Sequence, residues 1–283
     1  MKVAVTGASG FIGRHVLKDL LEHGVEIVVM TRDAARIAVL SKAMQIVEMD
    51  MAHPTPDCFE QMGRPDVLIH LAWDGLPNYK SLHHFETELP NQFRFLKLMI
   101  ESGLPALLVT GTCFEYGMQS GALSAVMQTK PNNPYGYAKD ALRQQLEFLR
   151  SIKPFKLTWG RLFYMYGDGQ PSTSLYPKLR EAVLRGDMVF NMSGGEQLRD
   201  YLPVDEVARQ IVKLAVAQRD IGAVNICSGN PISVRRLVEQ WCHENNWEIK
   251  LNLGHYPYPE YEPMAFWGVP SRNESSVKRN SRT

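Results

Sequence analysis

A strand-like run, Lys2-Val3-Ala4-Val5, passes directly into Thr6-Gly7-Ala8-Ser9-Gly10-Phe11-Ile12-Gly13, and a helical pattern then runs from Phe11 to Glu22. Glycines at three-residue spacing let the chain turn tightly and approach a ligand, and the free N–H groups of the helix that follows face a pyrophosphate. Close packing alone would also use such glycines. The β-branched strand ahead of them favours a nucleotide.

A second motif lies far downstream. In Asn133-Pro134-Tyr135-Gly136-Tyr137-Ala138-Lys139 a tyrosine and a lysine stand four residues apart where a helix pattern begins. Four residues is about one turn, so phenol and ammonium share a face. A nearby ammonium draws a phenol's pKa from about 10 toward neutrality, which suits proton transfer to a substrate oxygen. Between the motifs, Ala106-Leu107-Leu108-Val109 reads as a buried strand ending in Thr110-Gly111-Thr112. A threonine hydroxyl therefore stands at the C-terminal edge where open parallel sheets bind ligands. Together these features point to redox chemistry on an alcohol or ketone.

The rest of the chain alternates strand and helix patterns in the manner of a βαβ fold. Further strands are predicted at Val25–Met30, Gln45–Met49, Val67–Leu71 and Leu157–Arg161, and helices at Pro90–Ser102, Tyr135–Arg150 and Val204–Ala217. The expected class is α/β: a Rossmann-like doubly wound parallel sheet over 1–161, with 204–227 returning to it. A smaller discontinuous lobe is expected at 162–203 and 228–270, where Gly, Pro and Tyr become frequent, with the substrate between lobes and a disordered polar tail at 271–283. With 31 basic against 30 acidic residues the chain is no dedicated polyanion binder, so nucleic acid is excluded as a partner. Cys58, Cys113, Cys227 and Cys242 form no C-x-x-C pair, no apolar stretch reaches spanning length, and the first strand begins at Lys2. A reduced cytoplasmic protein with no membrane partner is expected.

On these residues the chain resembles the extended short-chain dehydrogenase/reductase family, and within it the enzymes that modify nucleotide-diphosphate sugars. The resemblance covers most of the chain and thins beyond about Met264. It is strengthened by Arg161-Leu162-Phe163-Tyr164-Met165-Tyr166-Gly167, similar to the family's R-x-x-x-x-Y-G turn, and by Leu198-Arg199-Asp200-Tyr201-Leu202-Pro203-Val204-Asp205, similar to its R-D-[YF]-x-x-V-x-D segment. It implies Gly7, Ser9, Gly10, Phe11, Ile12 and Gly13 around the dinucleotide, Asp50 and Met51 at the adenine, and Leu71 and Ala72 beside the cofactor. The catalytic trio it implies is Thr112, Tyr135 and Lys139, with Lys139 also on the nicotinamide ribose. On the substrate side it implies Trp73, Arg161, Tyr164 and Arg199, the last at the diphosphate. A homodimer through the helices at 90–102 and 135–150 is implied as well.

Cofactor choice is read at the end of the second strand, where a fold that prefers NAD places an acid on the ribose 2′-hydroxyl. Thr31-Arg32 stands there instead, and a hydroxyl with a guanidinium suits a 2′-phosphate. NADP(H) is favoured; NAD(H) remains open if Asp33 turns inward. Dehydratases of the family follow the catalytic hydroxyl with Asp-Glu, whereas this chain has Cys113-Phe114, and phenylalanine exchanges no proton. Cys113 is read as a packed small residue. The leading expectation is an NADPH-dependent reductase of a nucleotide-diphospho-4-keto-6-deoxyhexose, dTDP-linked, giving a fucose or 6-deoxytalose derivative. The alternatives are an NAD-dependent 4-epimerase and a non-catalytic NADP(H) sensor. His83-His84 is read as a loop pair with no metal, and Tyr256–Tyr261 as a cover of the lobe or of a base pocket.

Overall fold

The computed structural model describes residues 1–270, apart from the side chains of residues 38–42; the tail at 271–283 lies outside the described residues. Seven parallel strands form the central sheet: β1 (Lys2–Thr6), β2 (Glu26–Thr31), β3 (Gln45–Glu48), β4 (Val67–His70), β5 (Ala106–Thr112), β7 (Lys156–Leu162) and β11 (Gly222–Ile226). Short strands outside it are β6 (Gly121–Leu123), β8 (Tyr164–Tyr166), β9 (Val189–Asn191), β10 (Leu198–Pro203), β12 (Pro231–Ser233), β13 (Lys250–Asn252) and β14 (Phe266–Gly268). The central order is β11-β7-β5-β4-β1-β2-β3, so the winding reverses between β1 and β4. The crevice at such a reversal is where open α/β sheets bind ligands.

The strands are apolar on both faces because helices cover both. Ala4, Val28, Leu68, Leu107 and Leu157 pack with Phe95, Met99, Leu142 and Leu146 from helices α3 (Leu89–Glu101) and α4 (Pro134–Ile152). Val3, Val5, Ile27, Val29, Ile69 and Leu108 pack with Val16, Leu17, Leu20, Val207 and Ile211 from α1 (Phe11–Glu22) and α6 (Val204–Val216). This period-two division puts every second side chain on the opposite core. The strand and helix expectations therefore hold, with ends moved by a residue or two and β5 running on to Thr112.

A further apolar cluster joins α5 (Leu175–Leu184) and α7 (Val234–Asn245) through Leu179, Phe190, Met192, Leu237, Val238 and Trp241. Beside it β10 pairs parallel with β8 and antiparallel with β12. Helix α2 (Cys58–Gln61) is a single turn. Among the elements the sequence pattern did not mark is a π-helical turn, His84–Glu88, that leads straight into α3. Such turns recur at functional sites.

Candidate active site

Gly7 and Gly13 make the dinucleotide loop possible for different reasons. Gly7 has φ +71°, which side chains rarely adopt, and a Cβ there would lie 2.7 Å from the Ala72 nitrogen. A Cβ on Gly13 would lie 2.3 Å from the Gly7 carbonyl oxygen, so only glycine lets α1 close onto the loop. Gly10 caps α1 without any side-chain bond, and the first turn carries no acid. The amides of that turn are thus left for an anion.

A cavity of about 350 Å³ opens over the loop, lined by Gly7, Ser9, Gly10, Thr31, Arg32, Asp50, Met51, Leu71 and Ala72. These are the positions expected to hold the dinucleotide, and Phe11, Ile12 and Gly13 border the adjoining larger cavity of about 880 Å³. The residues fit a dinucleotide: the first turn of α1 has no side-chain cap to compete for a pyrophosphate, and Arg32 follows β2 on the cavity wall. Arg36, which the sequence reading missed, lines the same wall as Arg32. The signal was present, since four residues separate the two arginines. Asp33 lines the same wall, with its Oδ1 accepting from Ala35 N at 3.0 Å and capping the 3-10 stretch Ala34–Ala43. Asp50 accepts from Ala52 N at 3.0 Å, and that bond together with His53 holds its carboxyl below the ordinary range.

Beneath this cavity runs a buried polar chain. His70 Nε2 donates to Gln92 Oε1 at 2.6 Å, which leaves Nδ1 to accept from the Thr6 hydroxyl at 2.9 Å, and Gln92 Nε2 donates to Glu88 Oε2 at 2.8 Å. Glu88 also accepts from Asp74 N at 3.0 Å. Asp74, His83 and Glu88 bring candidate ligand atoms within 4.8 Å of one another, so the carboxylates missing from the histidine pair in sequence are present in space. His84 has other bonds: its Nδ1 accepts from the Trp73 indole at 3.1 Å, and Nε2 donates to Asn78 O at 2.8 Å.

The two cavities share Gly7, Gly10, Leu71 and Trp73; Thr112 and Tyr135 line the larger one, while Lys139 is buried behind them and lines neither. Thr112 ends β5 and caps a 3-10 turn, Cys113–Tyr116, accepting from Phe114 N at 3.3 Å. Asn133 caps α4 by accepting from Gly136 N at 2.9 Å, with Pro134 in the first turn, which sets Tyr135 and Lys139 on the face toward β5. Lys139 Nζ donates to Thr110 O at 2.9 Å, and the Thr110 hydroxyl donates to His70 O at 3.3 Å, a structural role.

The expected tuning of Tyr135 by Lys139 needs correction. Burial, with Tyr79 and Glu115 next, pushes the phenol well above its ordinary range, and hydrogen bonding to the Thr112 side chain opposes this only in part. Tyr135 therefore holds its proton in the ligand-free protein. Lys139 is the group moved toward neutrality: burial lowers it to about 7, against the pull of Glu115 and Glu88.

The NAD dependent epimerase/dehydratase family matches this chain over residues 3–227. The chain belongs to that family. It is 31% identical over 271 residues, 95% of this chain and 100% of the relative, to a dTDP-6-deoxy-L-talose 4-dehydrogenase (NAD(+)) of Aggregatibacter actinomycetemcomitans. A GDP-6-deoxy-D-talose 4-dehydrogenase of the same organism is 25% identical over 259 residues, covering 89% of this chain and 83% of that relative. The fold matches the UDP-glucose 4-epimerase of Thermotoga maritima, solved with UDP-glucose, at a TM-score of 0.81 and 23% identity over 97% of this chain and 92% of the other. As a member of the epimerase/dehydratase family the chain is a nicotinamide-dependent enzyme.

Two substrate-side expectations of this epimerase/dehydratase chain meet a different geometry. Arg161 lies off both cavity walls, its Nε bonded to Glu115 at 2.6 Å and its Nη1 to the Tyr116 hydroxyl and Ala125 O. Arg199 donates to Glu262 Oε2 at 2.8 Å and to the carbonyls of Leu198 and Met264, and Glu262, not Arg199, lines the larger cavity. Both guanidiniums are buried, and a buried cation takes the nearest carboxylate. Trp73 and Tyr164 do reach the wall, Tyr164 donating to Glu262 Oε1 at 2.5 Å. Glu262 was missed because it lies just where the resemblance thins. From the aromatic-proline stretch, Tyr261 lines the cavity while Tyr256 is exposed.

Proposed function

We propose that this chain catalyses reversible hydride transfer at C4 of a nucleotide-diphospho-6-deoxyhexose, dTDP-linked, working as a 4-keto reductase with NADPH. The observation that carries this reading is the wall of the larger cavity, where Thr112 and Tyr135 stand together and the two residues that follow Thr112 offer no proton carrier. Phe114 is apolar, and burial pushes the Cys113 thiol far up, so neither serves the proton exchange that dehydration requires. The relative that acts on dTDP-6-deoxy-L-talose, at 31% identity along nearly the whole chain, supports the substrate class.

A bound nicotinamide supplies the hydride to the ketone carbon. Tyr135, protonated in the free enzyme, gives its proton to the forming alkoxide, and the Thr112 hydroxyl donates a hydrogen bond to the same oxygen. General-acid help of this kind contributes about 10²–10⁴-fold, and a preorganised donor adds to it. Lys139, beneath the Tyr135 ring on the same helical face, would hold the nicotinamide ribose. Arg32 and Arg36 receive the 2′-phosphate. Residues 162–203 and 228–270 form the lobe that encloses the sugar nucleotide. A homodimer through α3 and α4 belongs to the same proposal, for α4 leaves Tyr137, Phe148 and Ile152 exposed. Among the described residues no helix is long and apolar enough to cross a membrane.

The test is incubation with NADPH or NADH and a panel of nucleotide-diphospho-4-keto-6-deoxyhexoses, following nicotinamide absorbance and product configuration at C4. Stoichiometric consumption of NADPH is expected. Because the relative's name carries NAD(+), preference for NADH would keep the C4 reaction and remove the reading of Arg32 and Arg36. Interconversion of C4 epimers without net consumption would instead make the chain an NAD-dependent 4-epimerase.

A further inference from the structure

Trp73 occupies a position that the reaction as proposed does not yet use. Its indole lines both cavities, and the Lys139 ammonium lies 4.0 Å from the ring centroid, over its face. Its edge meets the Tyr135 ring at 6.0 Å between centroids, nearly perpendicular. The indole N–H can only donate, so His84 Nδ1 must accept it, and the His84 proton must sit on Nε2 to reach the Asn78 carbonyl. His84 is fully buried, and its ring lies 5.2 Å from that of Tyr135. The imidazole is thus locked as one neutral tautomer that fixes the plane of the indole, and the indole in turn covers the ammonium.

We propose that Trp73 and His84 are positioning residues for the Tyr135–Lys139 pair: neutral His84 orients the Trp73 indole, which holds the Lys139 ammonium by its π face and braces the Tyr135 ring. The buried ammonium donates a hydrogen bond to the Thr110 carbonyl. A π face is the further contact that favours the charged form without taking up a directional acceptor. The other charged or titratable groups that bear on Lys139 are Glu115, from the turn after β5, and Glu88, from the π-helical turn. His70, at the end of β4, faces it as a neutral ring. Glu115 is held by Arg161. Around His84 stand His83, Glu88, Lys139 and Tyr135. A proton on His84 Nδ1 would abolish the acceptor for the indole, so the arrangement exists only while His84 is neutral.

This rests on the proposed reaction for its kinetic consequence, but its central test does not need turnover. NADPH affinity of the whole protein is measured across pH for the parent, Trp73→Leu and Trp73→Phe. Loss of the π face removes support for the ammonium, so the alkaline loss of NADPH binding moves to lower pH by about one unit in Trp73→Leu. It moves less in Trp73→Phe, which keeps an aromatic face. In turnover, His84→Phe lowers kcat roughly tenfold with KM within a few-fold, as expected when reacting groups are misplaced, and His84→Gln, which can still accept from the indole, restores most of it. A purely structural role would lower the melting temperature without moving the pH limb. Coincident pH limbs for the parent and Trp73→Leu would overturn the proposal, as would equal kcat for His84→Phe and the parent. Should the parent reduce no ketosugar, the reading of the reaction falls, while the pH dependence of NADPH binding still decides the part assigned to Trp73.

Discussion

Arg161 and Glu115 form an ion pair at 2.6 Å whose side chains are 2% and 0% exposed, directly beneath the end of β5 that carries Thr112. The second Glu115 oxygen accepts from Thr112 N and from the Trp159 indole, each at 2.9 Å. One carboxylate therefore fixes the catalytic hydroxyl's backbone and neutralises a buried guanidinium. Glu115→Gln is expected to destabilise the protein by about 3–5 kcal/mol, because it leaves Arg161 charged and unpaired. Denaturant unfolding measures this, and a loss below about 1 kcal/mol would mean that the pair is solvated in solution.

Turnover should separate the three hydroxyls. Tyr135→Phe keeps the ring packing against Trp73, Tyr79 and Phe114 but removes the proton donor, so activity is expected to fall by about 10²–10⁴-fold with NADPH binding nearly intact. Thr112→Ala should cost less, since the tyrosine still reaches the oxygen. Thr110→Ala should cost least, for its carbonyl rather than its hydroxyl holds Lys139. Initial rates at saturating cofactor give the ranking, and the reverse order for the two threonines would move catalysis to Thr110.

Much of this was legible in the chain. The central strands are covered on both faces, so they appear as unbroken apolar runs, and the Tyr135–Lys139 spacing translates directly into one helical turn. What stayed hidden depends on distance along the chain. Tyr164 and Glu262 are 98 positions apart and Arg199 and Glu262 are 63 apart, so no local pattern announces that a carboxylate stands between Arg199 and the cavity. Arg161 likewise carried a family motif, yet its partner Glu115 lies on another strand's turn. The π-helical turn before α3 was illegible for another reason: it begins at His84, the second of two adjacent histidines that show no helical periodicity, and its cavity-lining Glu88 acquires partners only when Gln92 and Asp74 fold beside it.

Cofactor choice can be redirected at the β2 terminus. Replacing Thr31 with Asp and Arg32 with Asn should shift preference from NADPH toward NADH, since a carboxylate accepts from a 2′-hydroxyl and repels a 2′-phosphate. Loss of hydrogen bonds to a charged group costs about 1.5–3 kcal/mol in NADPH affinity. Arg36 on the same wall should leave a residual preference, removed by adding Arg36→Ala. Equilibrium binding of the two cofactors to the double and triple variants checks the order of effects.

Acid stability should report on His70. The imidazole is fully enclosed, and burial with Lys139 nearby lowers it to about 3, while an unfolded chain's histidine takes its proton near 6.5. Between those values the unfolded state binds a proton that the folded state refuses, and stability rises with pH wherever the unfolded state binds more protons. Acidification from about pH 6.5 toward 3 therefore costs up to about 1.4 kcal/mol per pH unit from this residue alone. His70→Asn removes the titration while keeping one donor and one acceptor for Gln92 and Thr6, so its stability should fall less steeply with acid than the parent's. Unfolding free energies compared at matched pH isolate that difference from the carboxylates common to both, and parallel curves would mean that His70 is protonated inside the fold.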